Sequence, residues 1–456
     1  MCGGINVSPH NDCYEKTISL NKLFDLPEDI RYIKYQDKIL AIFPEIAKWI
    51  VLDDKVQISF LELLRNNNLA DALEQFVGPF PKAQDVVVQI VARKIENKSV
   101  KSCISNDTKQ LHFYLTNGCN LRCPHCYMLS GDKLHDELTT KEVFKILDDF
   151  RNYGGQSVTF SGGEVTTRND FISIVKYAKS LDLRVRVLTN GVLWTDDMIR
   201  DSSKYIDSVQ VSIDGYSEES NSAIRGKGNF QKSLNTIDRF IQAGVSTELA
   251  ITPPYISAKE DHSSKFIDFC NSLISKYPSE LFKIKIAEQI IDGRNVHLTE
   301  DESALYYKYI CNIKSAINGW ESELESFVRA FDKNEIMDNC MYGVFSIDSS
   351  GNVYFCSRIS SLKPVCNIRN TSFEKITELS RRAQKLSIID NFMPCKDCEL
   401  KYICGGGCRI DYFPGFTDIT DIDNADFSKI SPRECTTKTK NRFYRLMVES
   451  NKKLFR

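Results

Sequence analysis

The sequence has no run of 18 or more apolar residues, which excludes an ordinary membrane-spanning helix. It also lacks a dominant charge: 59 Lys and Arg stand against 61 Asp and Glu, a net of −2. No strong field is therefore available to hold nucleic acid or an anionic membrane surface. Residues 1–10 lack a basic stretch followed by an apolar run, so no secretory signal is expected and the reading is cytoplasmic. No internal repeat is visible beyond a general strand–helix alternation. At 456 residues, 42% hydrophobic and 26% charged, the chain has the make-up of an ordinary globular protein. A length of this order suggests about two to four domains.

Against this plain background stand 16 cysteines. A reducing compartment disfavours structural disulfides, so clustered thiols read as metal ligands or redox groups. Cys119, Cys123 and Cys126 form one tight group; Cys340, Cys356, Cys395, Cys398, Cys404, Cys408 and Cys435 fall in a second region. Cys2, Cys13, Cys103, Cys270, Cys311 and Cys366 are scattered, and an inert buried thiol is the plain reading for most of them.

Residues 31–52 alternate apolar and polar positions around a turn at Asp37-Lys38, with 40–43 and 49–52 as apolar strands. Helical spacing follows at 57–65, 69–76 and 84–95, so residues 1–96 read as a strand-then-helix unit of winged-helix type. Residues 28–96 hold nine Lys or Arg and eleven Asp or Glu. Without a basic face, a DNA-binding role is set aside. Residues 97–110 form a polar linker.

From 111 to 290, strand patterns at 111–116, 157–160, 184–188, 208–213, 247–251 and 282–287 alternate with helical ones at 141–151, 171–180, 195–201, 230–243 and 264–275. This alternation predicts an α/β fold, a parallel sheet or barrel-like arc whose chemistry sits in loops at the strands' carboxyl ends. A helical bridge at 291–339, the cysteine-rich region at 340–435 and a closing helix within 436–456 complete the chain. The short acidic stretch 418–426 reads as a solvated loop.

The first strand pattern of the arc runs into Asn117-Gly118-Cys119-Asn120-Leu121-Arg122-Cys123-Pro124-His125-Cys126-Tyr127. This loop supplies three thiols and no local fourth. A cubane on three thiolates keeps one iron open for a small-molecule cofactor, as catalytic zinc keeps an exchangeable position. Zinc with His125 as fourth ligand is the alternative. Ser161-Gly162-Gly163-Glu164 follows the second strand: the glycines permit close backbone approach, and Glu164 can accept bonds from an ammonium group. Thr189-Asn190-Gly191 and Ser212-Ile213-Asp214-Gly215 end the third and fourth strands, where cofactor contacts are expected. In Arg225-Gly226-Lys227-Gly228-Asn229-Phe230, Arg225 offers a planar fork for a carboxylate, with a solvent-exposed arginine as the alternative.

Cys-x3-Cys-x2-Cys with Tyr127 behind it resembles the signature of the radical S-adenosylmethionine superfamily, and the later motifs keep that family's order. The resemblance implies a partial (β/α)6 TIM-like barrel. It implies catalytic Cys119, Cys123 and Cys126 holding a [4Fe–4S] cluster whose open iron chelates S-adenosylmethionine, which is then cleaved to a 5′-deoxyadenosyl radical. It further implies cofactor contacts by Tyr127, Ser161, Gly162, Gly163, Glu164, Asn190, Ser212, Asp214 and Arg225.

Cys340 and Cys356 flank Gly351 as Cys-x10-Gly-x4-Cys, followed by Cys395-x2-Cys398-x5-Cys404-x3-Cys408 and then Cys435. Seven thiols cannot all serve one four-coordinate metal, so two sites are expected. Zinc is an alternative for Cys395 to Cys408. The pattern resembles the SPASM domain, which implies two auxiliary [4Fe–4S] clusters, three clusters in all. By that resemblance Cys395, Cys398, Cys404 and Cys435 hold the distal cluster, while Cys340, Cys356 and Cys408 hold the nearer one. The nearer cluster is then one ligand short: either Cys311 or Cys366 fills the place, or an iron stays open for a substrate thiolate.

The front unit resembles the element that captures the leader of a ribosomally made precursor peptide as an added strand. A purely structural N-terminal domain is the alternative. Together these resemblances imply a peptide (RiPP) maturase that abstracts hydrogen from a peptide carbon. Thioether cross-linking, as in sactipeptide and ranthipeptide maturation, is the leading chemistry, with carbon–carbon cross-linking behind it. The implied partners are a precursor peptide and an electron donor such as flavodoxin or ferredoxin, with no nucleic acid or membrane. Other readings are a sulfatase-type formylglycine maturase or a small-molecule dehydrogenase of the same group. The former is weakened by Ser357, where some sulfatase maturases place an Asp. A non-catalytic electron-transfer or metal-storage protein is the reading from another class. A glutamine amidotransferase nucleophile at Cys2 is set aside, because too little chain precedes the cysteine loop.

Overall fold

The computed structural model describes residues 4–7, 16–98, 101–102, 109–317, 323–332 and 335–454; Cys2, Cys13 and Cys103 lie outside them. At the front, β1 (Gly4–Val7) pairs antiparallel with β2 (Lys16–Ser19). A three-stranded antiparallel sheet follows, β3 (Arg31–Tyr35), β4 (Lys38–Phe43) and β5 (Lys48–Leu52). The β3–β4 turn falls at Gln36-Asp37, with Gln36 at φ 54°, one residue before the expected place, and Lys38 opens β4. The helices α1 (Lys55–Asn66), α2 (Leu69–Gln75) and α3 (Phe80–Ala92) come next.

Strand alternation decides which way this sheet faces. Ala41, Phe43, Ile50 and Leu52 pack against α1–α3, whereas Leu40, Ile42, Trp49 and Val51 enter the main core of the molecule. Trp49 sits 5.2 Å from Phe327 and 5.4 Å from Phe331, ring to ring, and its Nε1 donates to the Met447 carbonyl at 3.3 Å. Within the expected linker, β6 (Lys101–Ser102) pairs in parallel with β13 (Glu335–Ile336).

The arc consists of β7 (Gln110–Tyr114), β8 (Ser157–Ser161), β9 (Arg184–Thr189), β10 (Ser208–Ser212), β11 (Ser246–Ile251) and β12 (Phe282–Ile286). All six run parallel, in sequence order. Their outward residues, among them Phe113, Phe160, Val187, Val211 and Leu249, are fully buried. The helices α4 (Thr140–Asn152), α5 (Phe171–Ser180), α6 (Asp196–Ser202), α7 (Glu218–Arg225), α8 (Asn229–Gln242), α9 (Tyr255–Lys259) and α10 (Ser263–Lys276) connect these strands. Alternate positions such as His112, Thr159, Arg186, Gln210 and Glu248 are only half-buried and line the other face.

After α11 (Glu300–Ala316) and α12 (Glu323–Asp332), the cysteine-rich region adds β14 (Ser346–Ile347), β15 (Asn352–Tyr354) and β16 (Cys366–Asn367) to the same sheet. β14 runs parallel to β7 and antiparallel to β15, so nine strands form one continuous sheet. The chain ends with α13 (Phe373–Leu386), the short α14 (Lys401–Cys404) and α15 (Arg409–Tyr412), and α16 (Thr437–Leu454). Among the described residues no helix is long and apolar enough to cross a membrane.

Candidate active site

The three-thiol loop leaves the carboxyl end of β7 and closes on itself. Cys119 N donates to Gly131 O at 2.7 Å, and Gly131 N to Asn117 O at 3.0 Å. Beneath it lies Glu137, 9% exposed, which accepts from Thr116 Oγ1 (3.0 Å), Asn117 N (2.7 Å) and Leu134 N (3.2 Å). The sequence reading missed Glu137, because no motif marks a carboxylate whose role is to gather loop donors. Cys119, Cys123 and Cys126 lie within electrostatic reach of one another, and burial pushes the Cys119 thiol up to about 11. Such thiols become ligands only with positive charge at hand, from a metal or from Arg225, which acts directly on Cys123.

The β8 loop stacks against this one. Gly162, at φ 143°, would place a Cβ 2.4 Å from Thr116 O, and a Cβ on Gly163 would lie 2.4 Å from Gly118 O. The paired glycines thus let two backbones meet, with Gly163 N donating to Thr116 O and Glu164 N to Gly118 O, each at 2.8 Å. Ser161, at the end of β8, is buried. Glu164 is 1% exposed. Its Oε1 accepts from Thr189 Oγ1 (2.6 Å) and Thr166 Oγ1 (2.7 Å), and its Oε2 from Asn190 N (2.7 Å). Burial raises this carboxyl while those donors oppose the rise. The Asn190 side chain reaches Asn120, inside the cysteine loop, at 2.9 Å.

Arg225 is not solvent-exposed: its side chain is 12% accessible, and its Nε donates to Asp214 Oδ2 at 2.6 Å. His125 Nε2 meets the same oxygen at 3.1 Å, and Thr252 N donates to Oδ1 at 2.9 Å. Burial pushes the Asp214 carboxyl up, but the Arg225 guanidinium and the hydrogen bonds from the His125 ring and Thr252 N outweigh it and hold the group well below the usual carboxylate range. Asp214 therefore anchors Arg225 and His125, while Ser212 lies half-buried at the end of β10. His125, Thr252, Tyr255, Asn295 and His297 line a cavity of about 330 Å³ at the carboxyl ends of β11 and β12. A Cβ on Gly293 would lie 2.5 Å from the His125 carbonyl carbon, so the 290s loop seats directly on the cysteine loop.

Tyr127 turns the other way. It lies beside Tyr114 with Cys126, Cys356 and Arg358 within electrostatic reach, and Tyr114 Oη donates to the Ser357 carbonyl, linking the first cysteine loop to the second region. There the thiols fall into two sets. Cys340 and Cys408 lie close together, with Cys356 beside them. Cys404 has Cys395, Cys398 and Cys435 around it. Cys311, on α11, has Tyr307, Glu323, Glu288 and Arg442 as neighbours, and burial raises the Cys366 thiol beside Thr371. Among the described residues no group of three or more His, Cys, Asp or Glu is placed to hold a single metal ion. A four-iron cubane is a larger body with more widely spaced ligands, and the three loop thiols with an arginine beside them suit it.

The model of the radical SAM superfamily matches residues 113–267 of this chain. Mycofactocin maturase MftC of Mycobacterium tuberculosis (strain ATCC 25618 / H37Rv) is 30% identical over 324 residues, covering 66% of this chain and 78% of the relative. The Mycolicibacterium smegmatis protein of the same name is 28% identical over 316 residues, with the same coverage of 66% and 78%. A solved structure described as native anSMEcpe with bound AdoMet and Cp18Cys peptide superposes with a TM-score of 0.54. It shares 18% identity and covers 75% of this chain and 99% of its own. Extent of match, strand order and loop placement agree: the chain belongs to the radical SAM superfamily.

Proposed function

We propose that this chain matures a ribosomally made precursor peptide, with Cys119, Cys123 and Cys126 holding the catalytic [4Fe–4S] cluster and the two thiol sets of the second region holding auxiliary clusters in a SPASM domain. The observation that carries the reading is the three-thiol loop seated between the β8 glycine turn and the buried Arg225–Asp214–His125 group. When bound, the cluster and S-adenosylmethionine supply a radical that takes a hydrogen atom from a peptide carbon. Glu164 Oε2 keeps a lone pair for the ammonium of that cofactor, and among the described residues only the Nε of Arg225 is hydrogen-bonded, leaving the outer edge of its guanidinium for the carboxylate. Gly162, Gly163, Ser161, Asn190 and Ser212 border the same space at the strand ends. The related proteins are named maturases, which supports a peptide substrate.

Leader capture is assigned to the edge of β3 in a winged-helix-type front unit. The opposite edge is sealed: the Gln89 side chain accepts from Val51 N and donates to Val51 O, each at 2.7 Å, occupying the place of a fourth strand. β3 pairs only with β4 among the described residues. Because the two-residue turn makes Tyr35 and Lys38 the closing bonded pair, Lys34 directs its N–H to the unpaired side. Proline is tolerated at such an edge position. K34P is therefore expected to leave cofactor cleavage intact and to weaken leader binding by roughly tenfold or more, a loss of about 1.4 kcal/mol.

Thioether formation is the favoured chemistry, a peptide C–H and a cysteine S–H giving way to one C–S bond: the 5′-deoxyadenosyl radical would take the hydrogen atom, the thiol proton would go to solvent, and the remaining electron would pass to an oxidised auxiliary cluster on the second thiol region. The direct test is mass spectrometry of any short cysteine-bearing peptide that sequencing finds encoded beside this gene, after incubation with the reconstituted protein. Loss of two hydrogens per link with thiols blocked to alkylation supports it. The same loss with thiols still free assigns carbon–carbon linkage, and no mass change removes the maturase reading.

A further inference from the structure

We propose that Arg358 is a positioning residue for the iron–sulfur group on Cys340, Cys356 and Cys408, and that its donations to two of those sulfurs raise the group's reduction potential. The inference rests on the auxiliary-cluster reading above. Each sulfur of this set accepts an N–H: Cys340 from Arg409 N at 3.2 Å, Cys356 from Arg358 N at 3.5 Å, and Cys408 from Arg358 Nη1 at 3.7 Å. Two of the three donors belong to one residue, which ties the chain leaving β15 to the start of α15.

The guanidinium is held in place from the far side. Arg358 Nη1 also reaches Asp411 Oδ1 at 2.6 Å, with the two side chains 22% and 33% exposed. Its Nε is buried and has no hydrogen-bond partner among the described residues. A buried donor of this kind is costly unless something accepts from it. Inorganic sulfide of a cluster seated on these thiols is an acceptor of the right chemistry. Donors and positive charge at cluster sulfurs stabilise the added electron more than the oxidised state, so they raise the potential. Tyr127 lies within electrostatic reach of both Arg358 and Cys356, and Tyr114 of β7 donates to the carbonyl of Ser357, so this group is the one on the side of the catalytic loop.

The test is an EPR-monitored redox titration of the full chain, reconstituted anaerobically, with dithionite supplying one electron to each cluster. R358Q is expected to lower one midpoint and leave the others in place. R358K keeps the charge but loses the fork, and lowers the same midpoint by less. D411N removes the opposing negative charge and raises it. Unchanged midpoints in an R358Q protein with wild-type iron and sulfide overturn the proposal. If R358Q loses one cluster's iron, R358K decides, and an unchanged midpoint there overturns the proposal equally. A wild-type protein with zinc and no iron in this set overturns the auxiliary-cluster reading instead, and is distinguished by metal analysis before any titration.

Discussion

At the scale of the residue, the site depends on a few buried groups whose partners lie far along the chain. Glu137 gathers Thr116, Asn117 and Leu134 beneath the cysteine loop, and E137A leaves those donors without their acceptor. The expected cost is about 3 kcal/mol in denaturant unfolding, together with poorer iron loading; a change under about 1 kcal/mol would show that the loop holds itself. His112 offers a pH test. Burial first, then Arg186, lowers its ring to about 4. An unfolded histidine titrates near 6.5, so between about pH 6.5 and 4 the unfolded chain binds the proton more readily. Stability attributable to His112 is thus unchanged above pH 6.5 and falls as pH drops toward 4, by about 3 kcal/mol in all. H112F is expected to flatten that part of the acid limb in urea melts at successive pH values, and an unaltered slope would contradict the assignment.

At the scale of the element, two joints carry the arrangement. Gly162 permits the β8 turn to meet the β7 loop, and a Cβ there would both clash with Thr116 O and occupy a φ of 143°. G162A is expected to cost roughly 3 kcal/mol and to abolish cofactor binding in calorimetry, because the loops can no longer stack. Strand and helix positions of the arc were legible in the sequence, since apolar residues alternate along each strand and recur at helical spacing between strands. Several elements were not. The helix α7 is eight residues long with little apolar periodicity, and its Ser217–Ser220 cap was the one usable signal. β14–β16 are strands of two or three residues whose membership in the sheet depends on pairing with β7. Thiol groups were legible because clustered cysteines carry chemistry by themselves. Glu137, the sharing of Asp214 by Arg225 and His125, and Arg358 were not, because their partners are brought together only by the fold; Arg358 and Cys408 lie 50 positions apart.

At the scale of the molecule, the front unit, the arc and the cysteine-rich region are not beads on a string. Trp49 places the front sheet in the same core as α12 and α16, and β14 continues the arc's sheet. W49A is expected to cost about 3–5 kcal/mol in thermal or chemical unfolding. Removing residues 1–96 should give an unfolded or aggregated remainder rather than a working arc, so leader recognition is better tested at the β3 edge. The reading as a radical enzyme is tested most directly by 5′-deoxyadenosine formation. The anaerobically reconstituted chain, given S-adenosylmethionine and dithionite, is predicted to release it. The variant with Cys119, Cys123 and Cys126 all changed to Ala is predicted to release none while keeping its auxiliary iron. No 5′-deoxyadenosine from wild-type protein carrying full iron and sulfide, or zinc as its principal metal, would contradict the account.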